Sequence, residues 1–134
     1  MFKVAHSVLL VNQKYVLQLR DNNPAILAAG KWSLFGGGLN EGEPPEIGIA
    51  REIQEELCIS PENFRFLWNY ERENEFGVQT SYFFFEADVT HFWEQHRLME
   101  GQAAQCFDFK ELDSLDIPSF IQTILFRHHA ENTL

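Results

Sequence analysis

Short apolar stretches, some alternating with polar residues and some unbroken, are separated along this chain by turn-forming residues. Val4 to Val11 and Tyr15 to Arg20 read as two strands joined by the polar turn Asn12-Gln13-Lys14. Asp21-Asn22-Asn23-Pro24 marks another turn, Ala25 to Lys31 an irregular loop, and Trp32 to Leu34 a short strand leading into three glycines. Then the period changes. Pro44 and Pro45 suit the first turn of a helix, where a missing N–H costs nothing and φ is already set. Helical spacing continues to Leu57, and Ser60-Pro61 is the stop. Beyond it, Phe64 to Phe76 reads as a bent strand. Val78 to Val89, centred on Tyr82-Phe83-Phe84-Phe85, reads as the most buried strand, and Gln105 to Phe109 as the last. Ile117-Pro118 opens a C-terminal helix whose stripe is Phe120, Ile121, Ile124 and Leu125. The sum is a mixed sheet covered by helices, of the α/β or α+β class.

The first helix carries two faces side by side. At roughly 100° per residue, Ile49, Ala50, Ile53 and Leu57 gather on one side, and Glu52, Glu55 and Glu56 on the adjacent arc. A solvated acidic face is the usual meaning of such a run. Here, however, the carboxylates border the apolar stripe, where water is partly excluded. The helix also follows Phe35-Gly36-Gly37-Gly38-Leu39, a Gly-rich loop that allows close backbone approach. A hard cation bridging carboxylates and phosphate oxygens accounts for both features.

Composition narrows the field. With 134 residues, 45% of them apolar, the chain fits one folded domain, residues 1–134, and not a disordered acidic tail. A formal net charge of −10 opposes binding to a nucleic-acid polymer, which needs basic surface, but not binding of a small nucleotide with its cation. Cys58 and Cys106 lie in no metal-ligand spacing and read as reduced, partly buried thiols. None of the five histidines, His128 and His129 among them, shows metalloenzyme spacing; those two could cap the last helix. With no secretory signal pattern at the start and no apolar run of membrane-spanning length, a cytoplasmic location is expected.

The spacing Gly37, five residues, Glu43, seven residues, Arg51-Glu52-Ile53-Gln54-Glu55-Glu56-Leu57-Cys58-Ile59 resembles the Nudix box, G-x5-E-x7-R-E-U-x-E-E-x-G-U with U aliphatic. Cys58 alone departs, standing where the box has its last glycine. The resemblance implies the Nudix fold, a mixed sheet between helices with a loop–helix–loop unit at the active site. It also implies a Mg²⁺- or Mn²⁺-dependent, MutT-like hydrolase acting on a nucleoside diphosphate linked to another group. By the same resemblance, Glu52, Glu55 and Glu56 would hold metal and Gly37 would offer its carbonyl. Glu52 is the first candidate to activate water, a role that moves among glutamates within the family. Arg51, i to i+4 from Glu55, would orient the carboxylates, and Glu43 would brace the loop or reach metal through water.

Outside the box, Arg20 sits where family members often bind phosphate, although a plain strand end is an equal reading. Glu100, before Gly101, sits where many carry a further metal-binding or base glutamate on a loop. Gly36, Gly38 and Glu43 are expected beside the substrate with Arg20. Trp32, Trp68, Phe76 and Tyr82 are candidates to stack a base. ADP-ribose-type members often carry a proline after the box, and this chain has none between Pro61 and Pro118. Dinucleoside polyphosphate members often show a tyrosine slightly further along, where Phe76 and Gly77 stand here; the short length suits compact MutT-like members that act on nucleoside triphosphates, and nucleotide sugars remain open. Family habit allows a homodimer. The competing reading is a non-catalytic Nudix domain that binds a nucleotide as a sensor; such domains usually lose box carboxylates, which this chain keeps.

Overall fold

Strand Phe2–Val11 (β1) buries both faces, because apolar residues fall at both odd and even positions of a pleated backbone. Val4 and Val8 join Tyr15, Leu17 and Phe84 on one side, while Ala5 and Leu9 join Val16, Phe85 and Ala87 on the other. The computed structural model describes residues 1–132. A tight turn with Asn12 and Gln13 both at positive φ (50° and 68°) reverses the chain into Lys14–Leu19 (β2). Two positive φ values match the right-handed twist of the strands they join. The chain continues through Trp32–Ser33 (β3), Phe35–Gly38 (β4), helix Pro45–Leu57 (α1), Arg65–Glu73 (β5), Gln79–Asp88 (β6), Ala103–Phe107 (β7) and helix Ser119–Asn132 (α2).

The strands form one seven-stranded mixed sheet of the α+β class, in the order β3-β2-β1-β6-β5, with β4 on β1 and β7 on β2. β1 and β6 run parallel, and every other pairing is antiparallel. Each face carries one helix. Ile49, Ile53 and Leu57 of α1, all at 0% exposure, pack on the Ala5/Leu9 side, and Ile121, Ile124 and Leu125 of α2 on the other. Burying an aliphatic side chain is worth about 2 kcal/mol, against a few tenths for each like-charge pair on a helix. The apolar stripe of α1 therefore outweighs the repulsion among its glutamates.

Several expectations shift. The glycines after Phe35 form strand β4, not a loop, because their backbone pairs with Val4 to His6 of β1. Ala50 is exposed; the helix is rolled so that Gly48 faces Leu39, where a Cβ would lie 2.2 Å from Leu39 Cδ2. β5 ends at Glu73, before a turn in which Asn74 Oδ1 accepts from Phe76 N and Val78 N (2.9 and 3.0 Å). A register irregularity between Phe66 and Trp68 supplies its bend. β7 lies two residues earlier than the sequence pattern placed it. His128 caps nothing: it is buried, with Tyr15 Oη 2.8 Å from its Nδ1 and Glu86 on its Nε2. Cys58 is exposed, not partly buried.

Cys58 caps α1 in the left-handed conformation, φ 57° and ψ 31°, with its N–H on Gln54 O at 3.0 Å. A side chain there costs about 1 kcal/mol that glycine avoids. Cys58→Gly is expected to raise the melting temperature by roughly 4 °C and leave activity unchanged. A clear fall would mean that the lost chain entropy of glycine exceeds the relieved strain.

Candidate active site

Two strands and one helix end bring the box residues together. β4 runs along β1, so its backbone lies flat beneath the side chains of α1. Gly36 has φ 144°, and a Cβ there would lie 2.1 Å from Ala5 O. At Gly37 a Cβ would meet the Glu52 carboxyl at 2.7 to 2.8 Å. Only a bare backbone lets that carboxyl rest against the strand.

Arg51 organises the cluster. Its Nε and Nη2 donate to the two oxygens of Glu43 at 2.8 and 2.9 Å, a bidentate pair, and Nη2 also reaches Gly38 O at 3.2 Å. Nη1 donates to Glu52 Oε1 at 3.0 Å and to both Glu55 oxygens at 3.2 Å. Glu43 in turn accepts from Asn40 N at 3.0 Å, which ties the turn before α1 to the helix. The Arg51 guanidinium holds the Glu43 carboxyl down at about 2, and its own pKa is driven further up by that hydrogen bond.

Glu56 is the outlier. It is fully buried, its Oε1 accepts from Gly36 N at 3.0 Å, and its Oε2 has no partner. Burial, then the charges of Glu52 and Glu100, push its carboxyl up to about 8. Glu52 is also raised, chiefly by burial, although Arg51 opposes the shift. Glu100 is exposed on a loop clamped from both sides. Arg97 N and Met99 N donate to Leu57 O and Glu56 O at the end of α1, both at 2.9 Å. Gln102 N donates to Leu19 O at 2.7 Å, and its Nε2 to Arg20 O at 2.9 Å. These bonds bring the loop glutamate close enough for its charge to be felt at Glu52 and Glu56.

A buried carboxylate oxygen without a donor, beside two more carboxylates, is the donor set of a hard divalent cation. Among the described residues, no three His, Cys, Asp or Glu side chains already form a cage. Arg51 explains this, because Glu55 turns both oxygens to Nη1 and Glu52 gives it Oε1. The orphaned Glu56 Oε2 and the Gly37 cradle fit a cation nonetheless; Glu55 would have to turn from Arg51 to join it.

On the far side of β4 lies a cavity of about 430 Å³, within the size range of small-molecule sites. Gly36, Gly37 and Gly38 form part of its wall, and Arg20, Phe2, Tyr82 and Phe120 are among its other lining residues. Arg20 is half-buried, donates from Nε to Leu27 O at 3.2 Å, and bears electrostatically on both Glu56 and His6. Of the four aromatic candidates only Tyr82 reaches this cavity. Trp32 packs edge-on against Phe107, Trp68 lies under Arg127, and Phe76 is exposed in the β5–β6 turn. The sequence reading missed Phe2, His6 and Phe120 as cavity residues. His6 is kept neutral by burial, at about 4, and Arg72 stacks 4.4 Å over the Phe120 ring. Only the sheet pairing reveals these residues; the stripe pattern made Phe120 look like core.

A family model described as the NUDIX domain matches residues 1–126. The chain belongs to the Nudix family. Its fold is similar to that of a MutT protein from Methanosarcina mazei, with a TM-score of 0.84 at 20% identity over 99% of this chain and 96% of that one. It is also similar to the NUDIX domain of Shewanella oneidensis NrtR, solved with ADP ribose (TM-score 0.81, 16% identity, 99% and 89% covered). A MutT NUDIX hydrolase from Burkholderia pseudomallei gives a TM-score of 0.73 at 24% identity over 92% and 95% of the two chains. No curated protein matches the sequence significantly. Among the described residues, no helix is long and apolar enough to cross a membrane.

Proposed function

We propose that this protein hydrolyses the pyrophosphate bond of a nucleoside diphosphate derivative, a nucleoside triphosphate or a nucleotide sugar, in the cytoplasm and as a single domain. Mg²⁺ or Mn²⁺ would be held by Glu52, Glu56, Glu100 and the Gly37 carbonyl, joined by Glu55 once it turns from Arg51. The observation that carries this reading is the buried, unpartnered Glu56 Oε2 beside Glu52 and Glu100, one glycine strand away from a cavity lined by Arg20, whose charge is felt at Glu56. Bound metal supplies neutralisation of the charge developing on phosphate and a more acidic water.

The chain's own residues do the rest. Arg51 engages Glu52 Oε1, which leaves Oε2 as the oxygen that takes the proton from water. Glu43 and Arg51 brace the end of β4 against α1 through Gly38 O, so the diphosphate meets a backbone already in place. Arg20 binds phosphate, and Tyr82 with Phe120 offers ring faces to the nucleoside.

The test is phosphate-product release from nucleoside triphosphates, nucleotide sugars, ADP-ribose and dinucleoside polyphosphates, with Mg²⁺ or Mn²⁺ and an EDTA blank. ADP-ribose belongs in the set because of the likeness to the NrtR domain. Metal-dependent turnover of one class is expected. Nucleotide binding by folded protein without any turnover would favour the sensor reading instead.

A further inference from the structure

Between β2 and β3 the chain runs for about a dozen residues without helix or strand and passes along the mouth of the cavity. Leu27, Ala28 and Lys31 of this segment line it, as do Glu73 at the end of β5 and Asn74 and Glu75 of the β5–β6 turn. One hydrogen bond crosses the mouth: Ala28 N–H donates to Glu75 Oε1 at 2.5 Å, joining segments 47 residues apart. The residue before Ala28 is the one that accepts from Arg20 Nε. Two consecutive residues therefore connect the Arg20 guanidinium to the opposite wall.

Both ends of this connection are constrained. Ala28 sits at φ 53°, a left-handed conformation that a residue with a Cβ adopts only under restraint. The loop closes on itself at its base through Arg20 N on Lys31 O, Gly30 N on Asp21 O and Lys31 N on Ala28 O, at 2.9 to 3.1 Å. Glu75 is carried by the turn that Asn74 fixes, with Gly77 N on Asn74 O at 3.0 Å. Loop residues 21–31 are exposed or half-buried, so these polar contacts set the loop's shape more than apolar packing does.

We infer that Glu75 is a positioning residue for Arg20: it latches Ala28 across the cavity mouth and so fixes the Leu27 carbonyl that orients the guanidinium. A solvated surface acid, the usual role of an exposed glutamate, has no need to accept a backbone N–H from a facing loop. The inference rests on the proposed placement of substrate in this cavity. The latch itself does not, and one of the readouts below is independent of activity.

The test compares Glu75→Ala with Glu75→Gln, which keeps Oε1 as an acceptor without the charge. Amide hydrogen exchange at Ala28 is measured in both variants, together with KM and kcat for the compound the substrate panel identifies, or Kd if that compound binds without turnover. In Glu75→Ala, exchange at Ala28 is expected to quicken roughly tenfold or more. KM or Kd should rise roughly three- to tenfold with kcat held within about twofold, and Glu75→Gln should recover most of both effects. Unchanged exchange at Ala28 in Glu75→Ala overturns the latch, whether or not any substrate is turned over. Faster exchange with unchanged KM or Kd overturns the link to Arg20, and a glutamine variant as impaired as alanine overturns the hydrogen bond as the cause.

Discussion

Replacing Glu52 by glutamine is expected to lower kcat roughly a hundred- to ten-thousand-fold, the usual contribution of a positioned general base, with little change in KM. The substitution is nearly isosteric, and glutamine Oε1 still accepts from Arg51 Nη1, so the Arg51 pairs with Glu43 and Glu55 persist. The carboxyl rests against Gly37, half-withdrawn from water, which already raises its affinity for a proton above that of a free glutamate. Glutamine keeps the shape and loses the proton acceptor together with one anionic oxygen for the cation, so the assay is run at saturating metal. Steady-state kinetics beside a melting curve separate the two effects: the melting temperature should hardly move. A kcat within about tenfold of wild type would shift the base to Glu56 or Glu100, which share the same electrostatic neighbourhood.

In metal-free solution the second large effect appears as stability against pH. The Glu56 carboxyl, at about 8 in the folded protein against 4.5 for a free side chain, keeps its proton where the unfolded chain has lost it. Between those values the folded state binds more protons than the unfolded state. The Glu56 contribution to stability is therefore fully present below 4.5 and is lost as pH rises toward 8, by on the order of a few kcal/mol. Glu43 works in the opposite sense: its depressed carboxyl contributes stability above 4.5 that is lost as pH falls toward 2. Denaturant melts in EDTA at pH 5 and pH 8, compared between wild type and Glu56→Gln, isolate the Glu56 contribution. The variant should lose much less stability than wild type over that interval. Equal losses would mean that the buried carboxyl is already compensated without metal.

What the sequence made legible was local. Pro44-Pro45, the spacing of Ile49, Ile53 and Leu57, and the glutamates beside them all lie within one helix and its approach, so helical geometry alone brings them together. The Arg51–Glu55 pair follows from a four-residue offset. What stayed hidden depends on pairing between distant strands. Three glycines carry no strand propensity, and only the backbone of β1 alongside makes them β4. Phe2, His6 and Phe120 reach the cavity because β1 runs parallel to β6 and α2 crosses the same face. His128 found Tyr15 and Glu86, 113 and 42 residues away, where the local pattern suggested only a helix cap. The exposure of Ala50 is subtler, since one glycine at position 48 lets the helix settle closer on Leu39 than a periodic wheel predicts.

On the proposed reading, Glu56 and its neighbours are a cation site left electrostatically unfinished without metal. Mn²⁺ titration by calorimetry at pH 7, repeated in buffers of different ionisation enthalpy, tests it most directly. Because a carboxyl near 8 is mostly protonated at that pH, Mn²⁺ binding should release close to one proton. Glu56→Gln should weaken binding and abolish the release. Tight Mn²⁺ binding with no proton released, undiminished in Glu56→Gln, would place the metal elsewhere and rule out a cation site at Glu56.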